Sequence, residues 1–200
     1  MRPRPDSKPD AKADGQVDAR PTLTPALETL LSALVTLDDL AGLRAPDIFV
    51  VALGAHGHVA ASVRSLLSAR VTVARKRRRI ELGLRPPFFF SGDAPRRLAT
   101  LIHELLHLDP KAPGELLEAR RHATRSHALH EKHARALAQT WLDHHDPLPL
   151  LCLAHHGEVL MRTWRHRPVE GMGTSHFTDK DVMAAPLMMT TPKSARGGWW

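Results

Sequence analysis

The sequence predicts a small α+β domain, with a short twisted sheet of three or four strands packed on one central helix and a second helix beside it. Three observations carry this. Short apolar runs of strand length cluster between residues 47 and 84. Leucines at three-and-four spacing precede them, over 27–37. Two longer helix patterns follow, over 93–108 and 126–142. A length of 200 residues suits one domain with tails.

Residues 1–22 are rich in Pro, Lys, Arg, Asp and Ala without apolar periodicity, and read as a disordered basic tail. Thr24-Pro25 then has the form of an N-cap followed by a first-turn proline. A helix is expected from there to near Gly42. Asp47 to Leu53 reads as a buried strand, and 55–68 is ambiguous between helix and irregular strand. Val71–Val73 and Arg79–Leu84 read as two further strands, the second alternating Ile80, Leu82 and Leu84 against Arg79, Glu81 and Gly83. The basic run 75–79 between them is expected to be solvated. Pro86-Pro87 stops the strand, and Phe88, Phe89 and Phe90 are expected to plug the core. Asp93, Ala94 and Pro95 begin a helix with an acidic cap and an early proline, and Asp109-Pro110 ends it. After the second helix, residues 147–168 suggest a hairpin or two extended pieces around Gly157. The chain from Gly171 is expected to be poorly ordered, so that the domain spans 23–170.

Hydrophobic residues make up 42% of the chain and charged residues 24%, an ordinary balance for a packed core. Cys152 is the only cysteine, which excludes an internal disulfide and a cysteine-based zinc finger, and it is expected to be buried and inert. No signal-peptide pattern and no apolar run of membrane length is present, so no membrane partner is expected and the cytoplasm is the expected location. The net charge of +7 permits contact with nucleic acid. It lacks the aromatic interleaving of a single-strand binder, and a solvated basic surface is the favoured reading. The 14 histidines are the unusual number, because histidine is the commonest metal ligand near neutral pH.

His103-Glu104-Leu105-Leu106-His107 is the motif that carries chemistry. On a helix, residues four apart project from the same face, so two imidazoles are placed to share one zinc ion. Glu104 stands beside them, where a carboxylate can move protons to and from a metal-activated water. With 14 histidines in the chain, a chance occurrence is expected about 0.04 times. The apolar neighbours Leu98, Leu101, Ile102, Leu105 and Leu106 bury the rest of the helix, where unsatisfied polar side chains would be costly. A zinc site of this kind needs a third protein ligand. Glu118, His122, His127, His130, Glu131 and His133 are the downstream candidates, with His122 and His127 the two that suit the entry to the second helix. His144, His145, His155, His156 and His166 show no ligand spacing and read as surface.

The run Leu101-Ile-His-Glu-Leu-Leu-His-Leu-Asp-Pro110, with Pro113-Gly114, Arg120-Arg121-His122, Ser126 and the helix end at Trp141-Leu142, resembles a family of bacterial and phage metallopeptidases. These are zincins broadly akin to the SprT-like and minigluzincin types. The resemblance covers residues 79–142. It implies that the α+β domain is zincin-like, that Zn²⁺ is the cofactor, and that the substrate is a peptide or protein hydrolysed with Glu104 as general base. It implies His122 as third ligand in preference to His127. It also sets His130 where the family carries an aromatic residue, and so implies His130, or Arg121, as a contact for the oxyanion or substrate. The chain has no tyrosine. The alternatives are a basic zinc-containing module that binds nucleic acid or protein, and an inactive scaffold of the same fold.

Overall fold

The computed structural model describes residues 20–54, 59–90, 93–117, 124–146, 148–155, 157–169 and 176–189. Within them the chain is an α+β domain with two sheets. Helix α1 (Leu23–Leu34) leads into the central strand β1 (Ile48–Ala52), followed by β2 (Ala61–Ser65), β3 (Arg70–Val73), β4 (Lys76–Arg78) and β5 (Ile80–Leu84). A short helix α2 (Pro86–Phe90) precedes α3 (Ala94–Leu105), α4 (Thr124–His144) and α5 (Leu151–Ala154). The chain returns as β6 (Gly157–Trp164), β7 (His176–Phe177) and β8 (Val182–Met189).

The larger sheet has the order β2-β5-β1-β6-β8. Its three inner strands are parallel, with Ile48 opposite Ile80 and Ala52 opposite both Leu84 and Thr163. Both outer strands, β2 and β8, run antiparallel to their neighbours. All five residues of β1 are buried, as a parallel strand covered on both faces requires. Ile48, Val50, Leu82 and Leu84 pack on one face against leucines of α1 and α3. Phe49, Val51 and Trp164 pack on the other face with Val71 and Val73 of the smaller sheet, ordered β4-β3-β7.

Several local expectations need correction. The first helix ends at Leu34 rather than near Gly42, and its cap position is Thr22. Thr24 is buried, and its hydroxyl accepts from the Arg162 N–H at 3.0 Å. The ambiguous stretch contains strand β2. The basic run is not wholly solvated. Arg78 is buried and donates to the carbonyls of Pro46 and Ile48 at 3.0 and 2.9 Å and to Glu28. Cationic heads enter a core when backbone oxygens satisfy them, and charge alone does not reveal that. The segment before Gly157 is helical, as α5, with only the part after it extended. The C-terminal region expected to lack order supplies β7 and β8, and β8 pairs with β6 along eight residues from Gly157–Met189 to Trp164–Val182. At the other end Pro21 accepts from the Leu160 N–H at 2.9 Å, so the ordered unit begins inside the expected N-terminal tail. Among the described residues no helix is long and apolar enough to cross a membrane.

Candidate metal centre

Asp93 caps α3 by accepting from the Arg96 N–H at 3.0 Å, and Pro95 sits in the first turn. Leu98, Leu101, Ile102 and Leu105 are buried on this helix. That apolar stripe fixes the helix's rotation, and the remaining face carries His103 and Glu104 between sheet and solvent. The helix ends at Leu105, two residues before the expected motif is complete. His107 continues the same curvature in the following turn, where its N–H bonds to the Glu104 carbonyl at 3.2 Å.

The two motif histidines meet. Their Nε2 atoms lie 3.3 Å apart, with ring centroids 5.0 Å apart and planes at 78°. Two nitrogens each about 2.0–2.1 Å from a tetrahedral zinc ion lie about 3.3–3.4 Å from each other. The pair therefore fits the geometry that zinc imposes.

Helix α4 packs along α3. Its inward stripe is His127, His130, Ala134, Ala138 and Trp141, at helical spacing, of which the last three are buried. The alanines let the helices approach closely, and this brings the histidines at the start of the stripe to the motif. The His130 ring lies 5.1 Å from that of His103 and 5.0 Å from that of His107, stacked on the latter at 29°. Its Nε2 is shielded from solvent. His127 is 5.5 Å from His103 by ring centroid. His130 was expected as an oxyanion or substrate contact; the structure sets its ring against both motif histidines. The spacing 127, 130, 134, 138, 141 was the signal that would have placed it there.

His122 and Arg121 lie outside the described residues, as does Glu118. Among the described residues no group of three or more His, Cys, Asp or Glu side chains is assembled to hold a metal ion. The imidazole cluster is thus a converged pair with two further rings at contact distance. His133 is elsewhere, within 3.1 Å of Asp39 on the exposed face of α4. His145 stacks on Trp141 with planes 5° apart, and His144 reaches the Thr140 carbonyl at its own helix end.

Glu104 is held at the edge of the sheet. Bonds from Leu66 N–H to the Arg79 carbonyl and from Arg85 N–H to the Ala60 carbonyl mark the residues of β2 that turn inward to β5. By alternation, the backbone groups of Ala61, Val63 and Ser65 turn outward. A backbone hydrogen bond from Val63 meets the Glu104 carboxylate. Burial pushes the carboxyl pKa up to about 7, against the opposing pull of the Val63 bond and the nearby Arg85 charge. A carboxyl group with that proton affinity exchanges protons readily at neutral pH.

A cleft of about 180 Å³ opens beside the motif, lined by Ala60, Arg96, Thr100, His103, His127 and Glu131 among others. Glu131 is ion-paired with Arg135 one turn on. A second hollow shares Arg96, Ala99 and Arg135 with it and continues along the α3–α4 seam to Leu142. No protein-family model, curated protein or solved structure matches the chain.

Proposed function

We propose that the protein is a zinc-dependent peptidase of the zincin type, with His103 and His107 as two ligands and Glu104 as general base. The observation that carries this is the 3.3 Å separation of the two Nε2 atoms beside the partly buried Glu104 carboxyl. A third ligand would come from the histidines before or in the first two turns of α4, with His122 expected from the resemblance, His130 against both motif rings and His127 against that of His103. When bound by these histidines, zinc would supply Lewis acidity for carbonyl and water activation. Glu104 would take a proton from the attacking water and deliver it to the leaving amine. Strand β2 is the outer strand of the larger sheet beside Glu104, with its Val63 backbone already bonded to that carboxylate, and an extended peptide can add to the rest of such an edge by main-chain bonds. The seam between α3 and α4 offers room for the side chains.

One observation favours a second reading. His103 lies in ring contact with each of His107, His127 and His130, and a structural zinc site is usually closed by four protein ligands. In that case the protein is a zinc-stabilised binding module or inactive scaffold.

The deciding experiment measures zinc per chain by elemental analysis in the wild type and in Glu104→Gln, with casein cleavage assayed in parallel. One zinc in both, with cleavage lost only in the variant, is the result expected of a peptidase. One zinc in both and no cleavage in either favours the structural site. No zinc in either, after purification without chelator, overturns both readings.

A further inference from the structure

A second pocket lies at the carboxyl ends of the three parallel strands, where open α/β sheets commonly receive ligands. It has a volume of about 270 Å³ and is lined by Ala52, Leu53, Gly54, Arg85, Thr163, Trp164 and Arg167. Its wall carries two guanidinium groups and, among the described residues, no carboxylate.

The charge on this wall is built in from behind. Glu81 is 1% exposed and accepts from both Arg64 and Arg167, the latter through Nε and Nη2. Trp164 Nε1 donates to the same carboxylate at 2.6 Å. One carboxylate thus holds two guanidinium ions, which leaves the cluster one positive charge in excess. Arg167 is the member at the pocket, with 42% of its side chain exposed. Arg85 stands across from it, its Nη1 3.2 Å from the Ser62 hydroxyl on β2. The Trp164 ring, Leu53 and Ala52 make the remainder of the wall apolar, and Thr163 spends its hydroxyl proton on the Ala52 carbonyl at 2.8 Å.

We infer that this pocket binds a carboxylate, held by Arg85 and Arg167, with its carbon stem against Trp164 and Leu53. Guanidinium forks match a planar carboxylate through paired N–H donors. The half-apolar wall suits a carbon-bearing acid better than a fully hydrated phosphate. None of the clustered histidines lines this pocket, although the Arg85 charge also reaches Glu104, and the assignment stands whether or not the chain hydrolyses peptides.

The test is isothermal titration of the full chain with glutarate, with inorganic phosphate, and with the tripeptide Ala-Leu-Ala as free acid and as C-terminal amide. Variants separate the pocket from other binding sites. A Cβ at Gly54 meets nothing within 4 Å among the described residues, so Gly54→Glu is expected to place a carboxylate at the pocket, and Gly54→Gln controls for bulk. Arg85→Gln removes one fork while leaving the Glu81 cluster intact. The expected result is carboxylate binding weakened about tenfold or more by Gly54→Glu and by Arg85→Gln, with Gly54→Gln less affected. Within that result, binding of the tripeptide acid but not its amide identifies a peptide C-terminus, and binding of glutarate alone identifies a free small acid. Phosphate binding more tightly than either acid overturns the assignment. So does the absence of carboxylate binding, or binding that Gly54→Glu and Arg85→Gln leave unchanged.

Discussion

Replacing Glu81 by Gln is expected to destabilise the fold by about 3 kcal/mol at pH 7. Removing one partner of a buried ion pair typically costs about 3–5 kcal/mol, because the other charge is left uncompensated. Here the stranded groups are Arg64 and Arg167, whose side chains are 25% and 42% exposed, so water relieves part of the penalty and the lower end applies. Glutamine still offers an oxygen to Trp164 Nε1. For a chain of this size the loss corresponds to a fall in Tm of about 6–12 °C. The pH dependence follows from the same cluster. Burial works to raise the Glu81 pKa, but the hydrogen bonds and charges of Arg167 and Arg64 outweigh it and hold the carboxyl below its ordinary 4.5. A depressed folded-state pKa contributes stability that is complete above the unfolded value and is lost as pH falls through the folded one. The gap between wild type and variant should therefore be full at pH 7 and narrow steadily below about pH 4.5. Urea unfolding followed by circular dichroism at a series of pH values measures it. A loss under about 1 kcal/mol at pH 7, the size of an exposed pair, would refute the reasoning. So would a gap that does not change with pH.

Three further outcomes are expected. His103→Ala and His107→Ala should each abolish tight zinc binding; His122→Ala, His127→Ala and His130→Ala, titrated with zinc, identify the third ligand as the one whose loss matches theirs. Gly42 has φ +100°, and a Cβ there would lie 2.6 Å from the Pro110 carbonyl oxygen; Gly42→Ala should lower unfolding free energy by about 2 kcal/mol or more, and an unchanged urea midpoint would show that the turn relaxes freely. Burial pushes the Cys152 thiol up to about 11, so alkylation by iodoacetamide at pH 8 should run about 100-fold slower than for an exposed cysteine; a rate equal to that of free cysteine would count against its burial.

The local elements with strong patterns were legible in the sequence. Asp93 and Pro95 announce the start of α3, and its leucines define the face that is buried. Ile80, Leu82 and Leu84 do the same for β5. Because a helix brings residues four apart onto one face, the pairing of His103 with His107 and the neighbouring place of Glu104 needed only local geometry. Weak or contradictory patterns did not reveal their fate. Strand β8 reads as a Met, Ala and Pro stretch without alternation, and it exists because β6 offers it an edge to pair with. Arg78 reads as one of five basic residues in a row, and it is buried because the Pro46 and Ile48 carbonyls happen to face it.

What the sequence by itself determined is the motif helix and the pairing of His103 with His107, since both depend on contacts within four residues. Tertiary structure alone decided which distant groups join it. The closeness of His130 to both motif rings depends on the α3–α4 packing set by Ala134, Ala138 and Trp141. The proton affinity of Glu104 depends on burial against β2, about forty residues earlier in the chain. The two-arginine pocket exists because Arg85, beside Ser62, and Arg167, held by Glu81, come together from about eighty residues apart. Contacts of that separation leave no periodic trace in the sequence, because they are chosen by the packing of whole elements rather than by the repeat of any one of them.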